Sequence, residues 1–306
     1  MPEANDNAVS RRRALRLGSG TLLLLAAAAG RDPAEALAAE PAVKVGLVTD
    51  VHYADAEARG TRHYRESLGK MREAVTRLNA EKVDLAVCLG DLIDTPSPPD
   101  VTKELGFLRT ITGEFGKLTA PRHFVLGNHC VSALTKERFL DGCSQARSSY
   151  SFDKNGVHFV VLDACFRRDG AAYEPGKFEW TDTDIPPAQR EWLEADLKAT
   201  SYKAVVFVHQ RLDEPATANY RVHSAPAVRA VLEKSGKVLA VFQGHSHKNE
   251  LQTIGGVPYV TLAAMVEGSG AESSGYSVLR VQRDGTLALT GWRKHAEHPL
   301  AKKPAA

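Results

Sequence analysis

Several common catalytic motifs are missing from this chain of 306 residues. The sequence contains no Gly-x-Ser-x-Gly elbow, which presents the nucleophile of many serine hydrolases. It also lacks a Walker phosphate-binding loop and the Gly-x-Gly-x-x-Gly turn of dinucleotide-binding proteins. These absences argue against a serine hydrolase and against a nucleotide-dependent kinase.

Cysteine is scarce and shows no metal-binding spacing. The four residues Cys88, Cys130, Cys143 and Cys165 include no Cys-x-x-Cys pair. Cys88 lies in an apolar run and is expected to be a core thiol. If the chain is exported, one disulfide is possible, and the pairings left open are Cys130 with Cys143 or Cys143 with Cys165.

The chain has little excess charge of either sign. It carries 39 basic and 37 acidic residues, and without its first 38 residues it carries 34 and 33. A nearly neutral chain lacks the basic surface that extended contact with nucleic acid or anionic lipid requires. We therefore expect no nucleic-acid partner.

The N-terminal segment has no apolar run long enough to span a membrane. The run from Leu15 to Ala29 is shorter and more diluted by Gly and Ala than the roughly 20 apolar residues of a spanning helix. It follows Ser10-Arg11-Arg12 and precedes a small-residue cleavage site at 36–38. This pattern resembles a twin-arginine export signal, with Ala14 at a position that is usually bulky and apolar. We expect a cleaved signal over residues 1–38.

Such a signal implies recognition by the twin-arginine export machinery and a periplasmic or extracellular location, with no stable membrane anchor. Two alternatives remain open, namely an uncleaved anchor and a general secretory signal. The rest of the chain is predicted to be one catalytic domain, 39–294, followed by a disordered tail, 295–306.

Short apolar runs alternate with helical periodicity along that domain. Buried strands are predicted at Val43 to Thr49, Val83 to Leu89, Arg122 to Leu126, Ala204 to Val208 and Val238 to Phe242. Helices are predicted at Arg62 to Ala80, Val101 to Leu118, Pro187 to Thr200 and Ser224 to Lys234. This order indicates a layered α/β fold, in which sites form at the carboxyl ends of strands.

Each of the five predicted strands ends in residues that can bind metal. In chain order these are Asp50 and His52, Asp91 and Asp94, Asn128 and His129, His209, and His245 and His247. A single histidine after a strand is usually structural, but five strand ends with the same kind of residue indicate one shared metal site.

The series Asp-x-His, Gly-Asp-x-x-Asp, Gly-Asn-His, His and Gly-His-x-His resembles the motifs of the calcineurin-like metallophosphoesterases. The resemblance implies a four-layer αββα sandwich of two mixed sheets with two metal ions at one edge. It implies one ion bound by Asp50, His52, Asp91 and His247. The second ion would share Asp91 and take Asn128, His209 and His245.

The resemblance also implies hydrolysis of phosphate ester or diphosphate bonds by a hydroxide that bridges the two ions. His129 would protonate the leaving oxygen, and Asp94 would orient it. The imidazole, carboxylate and amide ligands suit divalent or mixed-valence manganese, iron or zinc, and disfavour copper(I). Cys130 departs from the family pattern, which commonly has Asp or Glu after Gly-Asn-His, and we expect it to be a buried or disulfide-bonded residue rather than a nucleophile.

Three segments beside these motifs resemble the manganese-dependent ADP-ribose and CDP-alcohol diphosphatases. They are DVHYADAEARGTRHYRESL, ANYRVHSAPAVRAVLE and GGVPYVTLAAMVEG. Candidate substrate-binding residues are Arg65, Tyr220 and Arg221, followed by Tyr53, Arg62 and Tyr64. Two alternatives stay open: an exported phosphomonoesterase or phosphodiesterase that scavenges phosphate, and a non-enzymatic metal-binding surface protein.

Overall fold

The computed structural model describes residues 20–25, 41–95 and 98–296, and these form two six-stranded sheets with helices outside them. The first sheet has the order β1 (Gly20–Leu25), β12 (Leu287–Arg293), β11 (Gly275–Val281), β2 (Val43–Val48), β3 (Leu85–Cys88), β4 (Arg122–Phe124). The second has the order β5 (Tyr150–Lys154), β6 (Val157–Val161), β7 (Lys203–Phe207), β8 (Val238–Gln243), β10 (Val257–Thr261), β9 (Glu250–Ile254).

Five α-helices are described besides the sheets. They are α1 (Ser67–Glu81), α2 (Val101–Phe115), α3 (Lys136–Gly142), α4 (Pro187–Ala199) and α5 (Ala225–Ser235). Helices α1 and α2 contact each other beside the first sheet, and α4 and α5 do so beside the second. The architecture is therefore the expected four-layer sandwich of two mixed sheets.

The hydrophobic core forms between each pair of adjacent layers. One cluster packs α1 and α2 on the first sheet, a second fills the space between the sheets, and a third packs α4 and α5 on the second sheet. Strand β3 shows how one strand serves two of them, because side chains alternate across a sheet. Leu85 and Val87 face the second sheet, whereas Ala86 and Cys88 face the helices.

The strands that matter for the site run in parallel. In the first sheet β2 pairs in parallel with β3, and β3 with β4. In the second sheet β6, β7, β8 and β10 pair in parallel. Parallel neighbours end at the same edge of a sheet, so residues that follow these strands lie together.

Helix α1 begins later than predicted. The periodic pattern indicated a start at Arg62, but the helix begins at Ser67. The preceding residues pair with a distant loop instead: His63 N donates to Val266 O, and Gly268 N donates to Thr61 O. The other predicted elements occur with ends shifted by a few residues.

The predicted export signal falls mainly outside the described residues. Within it only 20–25 are described, as strand β1 paired antiparallel with β12. The predicted tail starts at His295, whose side chain is buried and contacts Ser277 Oγ at 2.7 Å and Ala263 O at 2.9 Å. Residues 297–306 lie outside the description.

The four cysteines are free thiols, and Cys143 alone among them is partly exposed. The two disulfide pairings left open by the sequence are therefore not formed. Among the described residues no helix is long and apolar enough to cross a membrane.

Candidate metal centre

Seven side chains from both sheets meet where the parallel strands end. Asp50, His52, Asp91, Asn128, His209, His245 and His247 lie in the loops that follow β2, β3, β4, β7 and β8. All seven are buried or nearly buried. A cluster of buried ionisable groups is costly unless they are paired or bind metal.

Five of these residues adopt a backbone conformation that favours glycine. The positive φ angles are 48° at Asp50, 45° at His52, 48° at Asp91, 71° at His245 and 60° at His247. Each such conformation costs on the order of 1 to 3 kcal/mol and persists only where the surrounding structure enforces it. The tight turns aim side chains from consecutive motifs at one point.

Glycines before the motifs allow the loops to approach one another. A β-carbon at Gly127 would collide with Asp91, and one at Gly244 would collide with Thr49 and Asp50. Gly90 has φ of 107° and abuts the His209 ring. Glycine is required at these positions because any larger side chain would displace residues of the cluster.

The first group of ligand atoms comes from Asp50, His52 and His247. His52 Nε2 lies 3.1 Å from His247 Nε2, and His247 Nε2 lies 3.4 Å from Asp50 Oδ1. The outer ring nitrogens bind carboxylates, since His52 Nδ1 is 3.0 Å from Asp94 and His247 Nδ1 is 2.6 Å from Glu267. Imidazoles that bind metals are oriented by carboxylates in the same way.

The second group comes from Asp91, Asn128, His209 and His245. Asn128 Oδ1, His209 Nε2 and His245 Nε2 are buried and have no hydrogen-bond partner. His209 Nε2 does lie 3.1 Å from Asp91 Oδ2, but without hydrogen-bond geometry. Unpaired buried polar atoms are rare. The ligand atoms of Asp91, His209 and His245 lie within 4.8 Å of one another, and Asn128 lines the same cavity, so the group fits a cation.

The protonation of His245 suits this interpretation. Burial, with a smaller contribution from the positive charge of His209, lowers the pKa of His245 to about 3. Its imidazole is therefore neutral near pH 7 and has a lone pair for a metal. His209 is fixed by its other nitrogen, which is 2.8 Å from Leu89 O.

Asp91 lies between the two groups. Its Oδ2 is 3.1 Å from His209 Nε2 in one group and 3.6 Å from His52 Nε2 in the other. Its Oδ1 accepts a hydrogen bond of 2.8 Å from His129 N. One carboxylate thus reaches ligand atoms on both sides.

Asp94 connects three cationic or titratable side chains. Its oxygens lie 3.0 Å from His129 Nδ1, 3.0 Å from His52 Nδ1 and 3.0 Å from Arg62 Nη1. Burial alone would raise the pKa of Asp94, but hydrogen bonds from His129 and His52 outweigh it and hold the pKa far below its usual range. Asp94 is therefore ionised and fixes the His129 ring.

Cys130 follows His129 but does not act as an activated thiol. It is completely buried, and burial followed by the negative charge of Asp91 raises the pKa of its thiol well above the usual value. Nucleophilic cysteines need the opposite shift.

Two cavities meet at Arg62 and His129. The smaller, about 390 Å³, is lined by Asp91, Asn128, Trp180, Tyr220, His245, Ser246, His247 and Glu267 as well as these two. The larger, about 880 Å³, is lined on its polar side by Glu57, Arg59, Thr61, Tyr64, Asp94, Thr95 and Ser132. Four of the seven clustered residues line the smaller cavity, and none lines the larger.

The structure brings some predicted substrate residues to these cavities and not others. Tyr220 lines the smaller cavity, and Tyr64 lines the larger. Arg65 lines neither cavity; it is half exposed and pairs with Asp55 and with Glu57, which itself lines the larger cavity.

Arg221 and Tyr53 also fall outside these linings. Arg221 pairs with Glu214, and buried Tyr53 packs edge-on against Phe107. An ion pair with a neighbouring acid holds each of the two arginines, Arg65 and Arg221, and a role for them in substrate binding stays a prediction.

The sequence analysis did not single out Glu267 and Trp180, which line the smaller cavity. Glu267 binds His247 from a loop 20 residues further along the chain, and Trp180 lies 5.6 Å from the His245 ring. Glu267 lies in the segment GGVPYVTLAAMVEG, which carried the resemblance, but it was not singled out there. Trp180 belongs to no motif, and its only signal was composition, since it is one of three tryptophans and lies in a polar segment.

Residues 43–249 match the model of the family described as calcineurin-like phosphoesterase. The matched segment includes all seven clustered residues, His129 and Asp94.

Curated relatives span most of the chain. The manganese-dependent ADP-ribose/CDP-alcohol diphosphatase of Oryza sativa subsp. japonica is 25% identical, covering 87% of this chain and 96% of its own length. The diphosphatase of the same name from Danio rerio is 24% identical and covers 74% and 89%. A mouse serine/threonine-protein phosphatase, CPPED1, is 27% identical and covers 68% and 67%.

Among solved structures, a dimetal phosphatase from Danio rerio superposes with a TM-score of 0.72. It is 22% identical, and the alignment covers 83% of this chain and 97% of that one. This similarity supports the fold.

Proposed function

The chain belongs to the calcineurin-like phosphoesterase family and is a metal-dependent phosphoester hydrolase, and we propose that it cleaves the diphosphate bond of nucleoside diphosphate compounds such as ADP-ribose or CDP-alcohols. We further propose that Asp50, His52, Asp91 and His247 hold one ion. Asp91, Asn128, His209 and His245 would hold the second, with manganese as the preferred metal. Two bound divalent ions neutralise phosphoryl oxygens and lower the pKa of a bound water.

The observation that carries the substrate proposal is the pair of cavities that meet at Arg62 and His129. A diphosphate compound has a substituent on each phosphate and therefore needs room on both sides of the bond that breaks. A phosphomonoester needs only one side. Arg62 lies at the junction, where a guanidinium can pair with a second phosphate.

His129 is proposed to donate the proton to the leaving oxygen. Its Nδ1 is held by Asp94, so Nε2 is the nitrogen left for substrate. Because the residue lines both cavities, it lies where the two halves of a substrate separate. General acids of this kind contribute on the order of 10² to 10⁴-fold.

The test is a substrate panel with the full chain and with a version that begins at Ala39. An aryl phosphate monoester, a bis-aryl diester, ADP-ribose, CDP-choline and a phosphoserine peptide are offered with manganese, zinc or iron in turn. We expect ADP-ribose and CDP-choline to give the highest kcat/KM with manganese. A clear preference for the simple esters would replace this proposal with phosphate scavenging, and preference for the peptide would favour protein dephosphorylation.

Export remains a separate prediction that concerns residues 1–38. A variant in which Arg11 and Arg12 are both changed to Lys should stay in the cytoplasm of a bacterial host with the twin-arginine pathway, because that pathway recognises the arginine pair. Fractionation of the cells and immunoblotting measure this. Export of the variant at the unaltered rate would favour the general secretory route.

A further inference from the structure

Two aromatic side chains form one wall of the smaller cavity. Trp180 and Tyr220 have ring centroids 5.4 Å apart at an angle of 45°. Both rings also face His245, at 5.6 Å and 5.4 Å between centroids. This wall therefore lies directly beside a proposed metal ligand.

Trp180 is unusually exposed for a large apolar residue. It is 38% exposed, and Tyr202 is the other large apolar side chain described as exposed. Tyr202 lines a different cavity, near Lys203 and Asn155. An exposed indole in a cavity rather than on a convex surface is a typical ligand contact.

The loop that carries Trp180 is fixed by hydrogen bonds and ring stacking with its own neighbouring residues. Tyr173 Oη donates to Asp182 O at 3.0 Å, and Phe178 stacks on the Tyr173 ring with centroids 3.9 Å apart. Asp182 N donates to Glu179 O, which closes a turn around Trp180. An indole fixed in this way loses little conformational freedom when a ligand binds.

The backbone of Tyr220 is fixed as well. Its carbonyl accepts a hydrogen bond of 3.2 Å from Arg211 N, and the Arg211 side chain is buried in an ion pair with Asp213. Both aromatic residues are therefore positioned before any ligand is present.

We infer that Trp180 and Tyr220 stack on the nucleobase of the nucleoside phosphate whose phosphorus is attacked. This rests on the proposed function and assigns one half of the substrate to each cavity. The base stays with the ligand cluster in the smaller cavity. The other half leaves past His129 into the larger cavity, which has no residue of the ligand cluster in its lining.

The chemistry of this arrangement fixes which bond breaks. An oxygen from water bonds to the phosphorus attached to the nucleoside, and the bond from that phosphorus to the bridging oxygen breaks. The bridging oxygen leaves on the other phosphate and takes a proton. ADP-ribose and water thus give AMP, which contains the oxygen from water, and ribose 5-phosphate.

The first experiment measures binding by calorimetry to the manganese-loaded full chain, with AMP and ribose 5-phosphate as probes. We expect Trp180→Ala to lower the affinity for AMP about ten-fold, which is within the range seen for single aromatic–base stacks. Binding of ribose 5-phosphate should stay unchanged. Trp180→Phe should recover much of the affinity for AMP, and Tyr202→Ala is the matched control with no effect on either probe.

Binding does not require turnover, so it separates this inference from the proposed function. Loss of AMP affinity in Trp180→Ala supports the stacking wall even if ADP-ribose is a poor substrate. If Trp180→Ala lowers the affinity for both probes equally, or for neither, then Trp180 and Tyr220 only pack against His245. Either result would overturn the inference. Absence of AMP binding to the unaltered protein would also overturn it.

The second experiment follows the label when ADP-ribose is hydrolysed in ¹⁸O-water. Mass spectrometry should find the label in AMP. Label in ribose 5-phosphate would place the base in the larger cavity and overturn the assignment of the two halves.

Discussion

The seven clustered residues follow buried parallel strands, whereas the cavity walls come from longer loops. In the cluster, Asp91 and His245 have positive φ angles, and Gly127 packs directly against Asp91. In the walls, Arg62, Trp180 and Tyr220 are held by contacts that a few substitutions would change. The fold therefore determines the metal-dependent chemistry, and the loops determine which substrate reaches it.

Asp91→Asn should break the strand-end cluster most severely. Asp91 reaches both groups of ligand atoms, so one changed residue should remove both metal equivalents together. Loss of two ions that each contribute several kcal/mol corresponds to about 10⁴-fold or more in kcat. Elemental analysis and kinetics measure this, with exposed Asp55→Asn as the matched control. Retention of one tight metal equivalent would show that Asp91 is not the bridge.

His129→Ala should lower activity without altering metal content, because the imidazole of His129 is held by Asp94 rather than by the cluster. The loss should be about 10² to 10³-fold for a poor leaving group and smaller for a good one. Rates with phenyl phosphate and 4-nitrophenyl phosphate provide the comparison. Equal losses with both would argue against a general acid at this position.

Glu267→Gln tests the contact between Glu267, which lies in a loop that lines the smaller cavity, and His247 of the cluster. Glu267 binds His247 Nδ1 at 2.6 Å, and loss of such a supporting carboxylate lowers metal affinity by about 10 to 100-fold. The amide keeps the size of the side chain, so the fold should be retained. Activity measured across manganese concentrations should recover at high metal. A defect that added metal leaves unchanged would mean that Glu267 acts on the substrate instead.

The cluster could be predicted from the sequence because the positions of most of its residues follow from local sequence patterns. An apolar run followed by Asp, Asn or His marks a strand end, and parallel strands bring such ends together. Asp94 and His129 were placed in the same way, and the structure puts their side chains 3.0 Å apart.

The walls depend on long-range contacts that no local pattern encodes. Arg62 was assigned to helix α1 because Tyr64, Leu68 and Met71 have helical spacing. In the structure this segment pairs with residues 266–268, more than 200 residues away, and so reaches the site. Trp180 reaches the site through a loop with no regular periodicity.

Arg65→Ala should have the smallest effect, although the sequence favoured this residue for substrate binding. Its guanidinium pairs with Asp55 and Glu57 at the surface, and exposed pairs contribute about 0 to 1 kcal/mol. We expect kcat/KM for ADP-ribose to change less than about two-fold, which is within that range. Arg62→Ala, made for comparison, should lower it at least about ten-fold, because charged hydrogen bonds to phosphate are strong. A larger loss at Arg65 than at Arg62 would mean that the acidic partners release Arg65 when substrate binds, and that the wall extends beyond the two cavities.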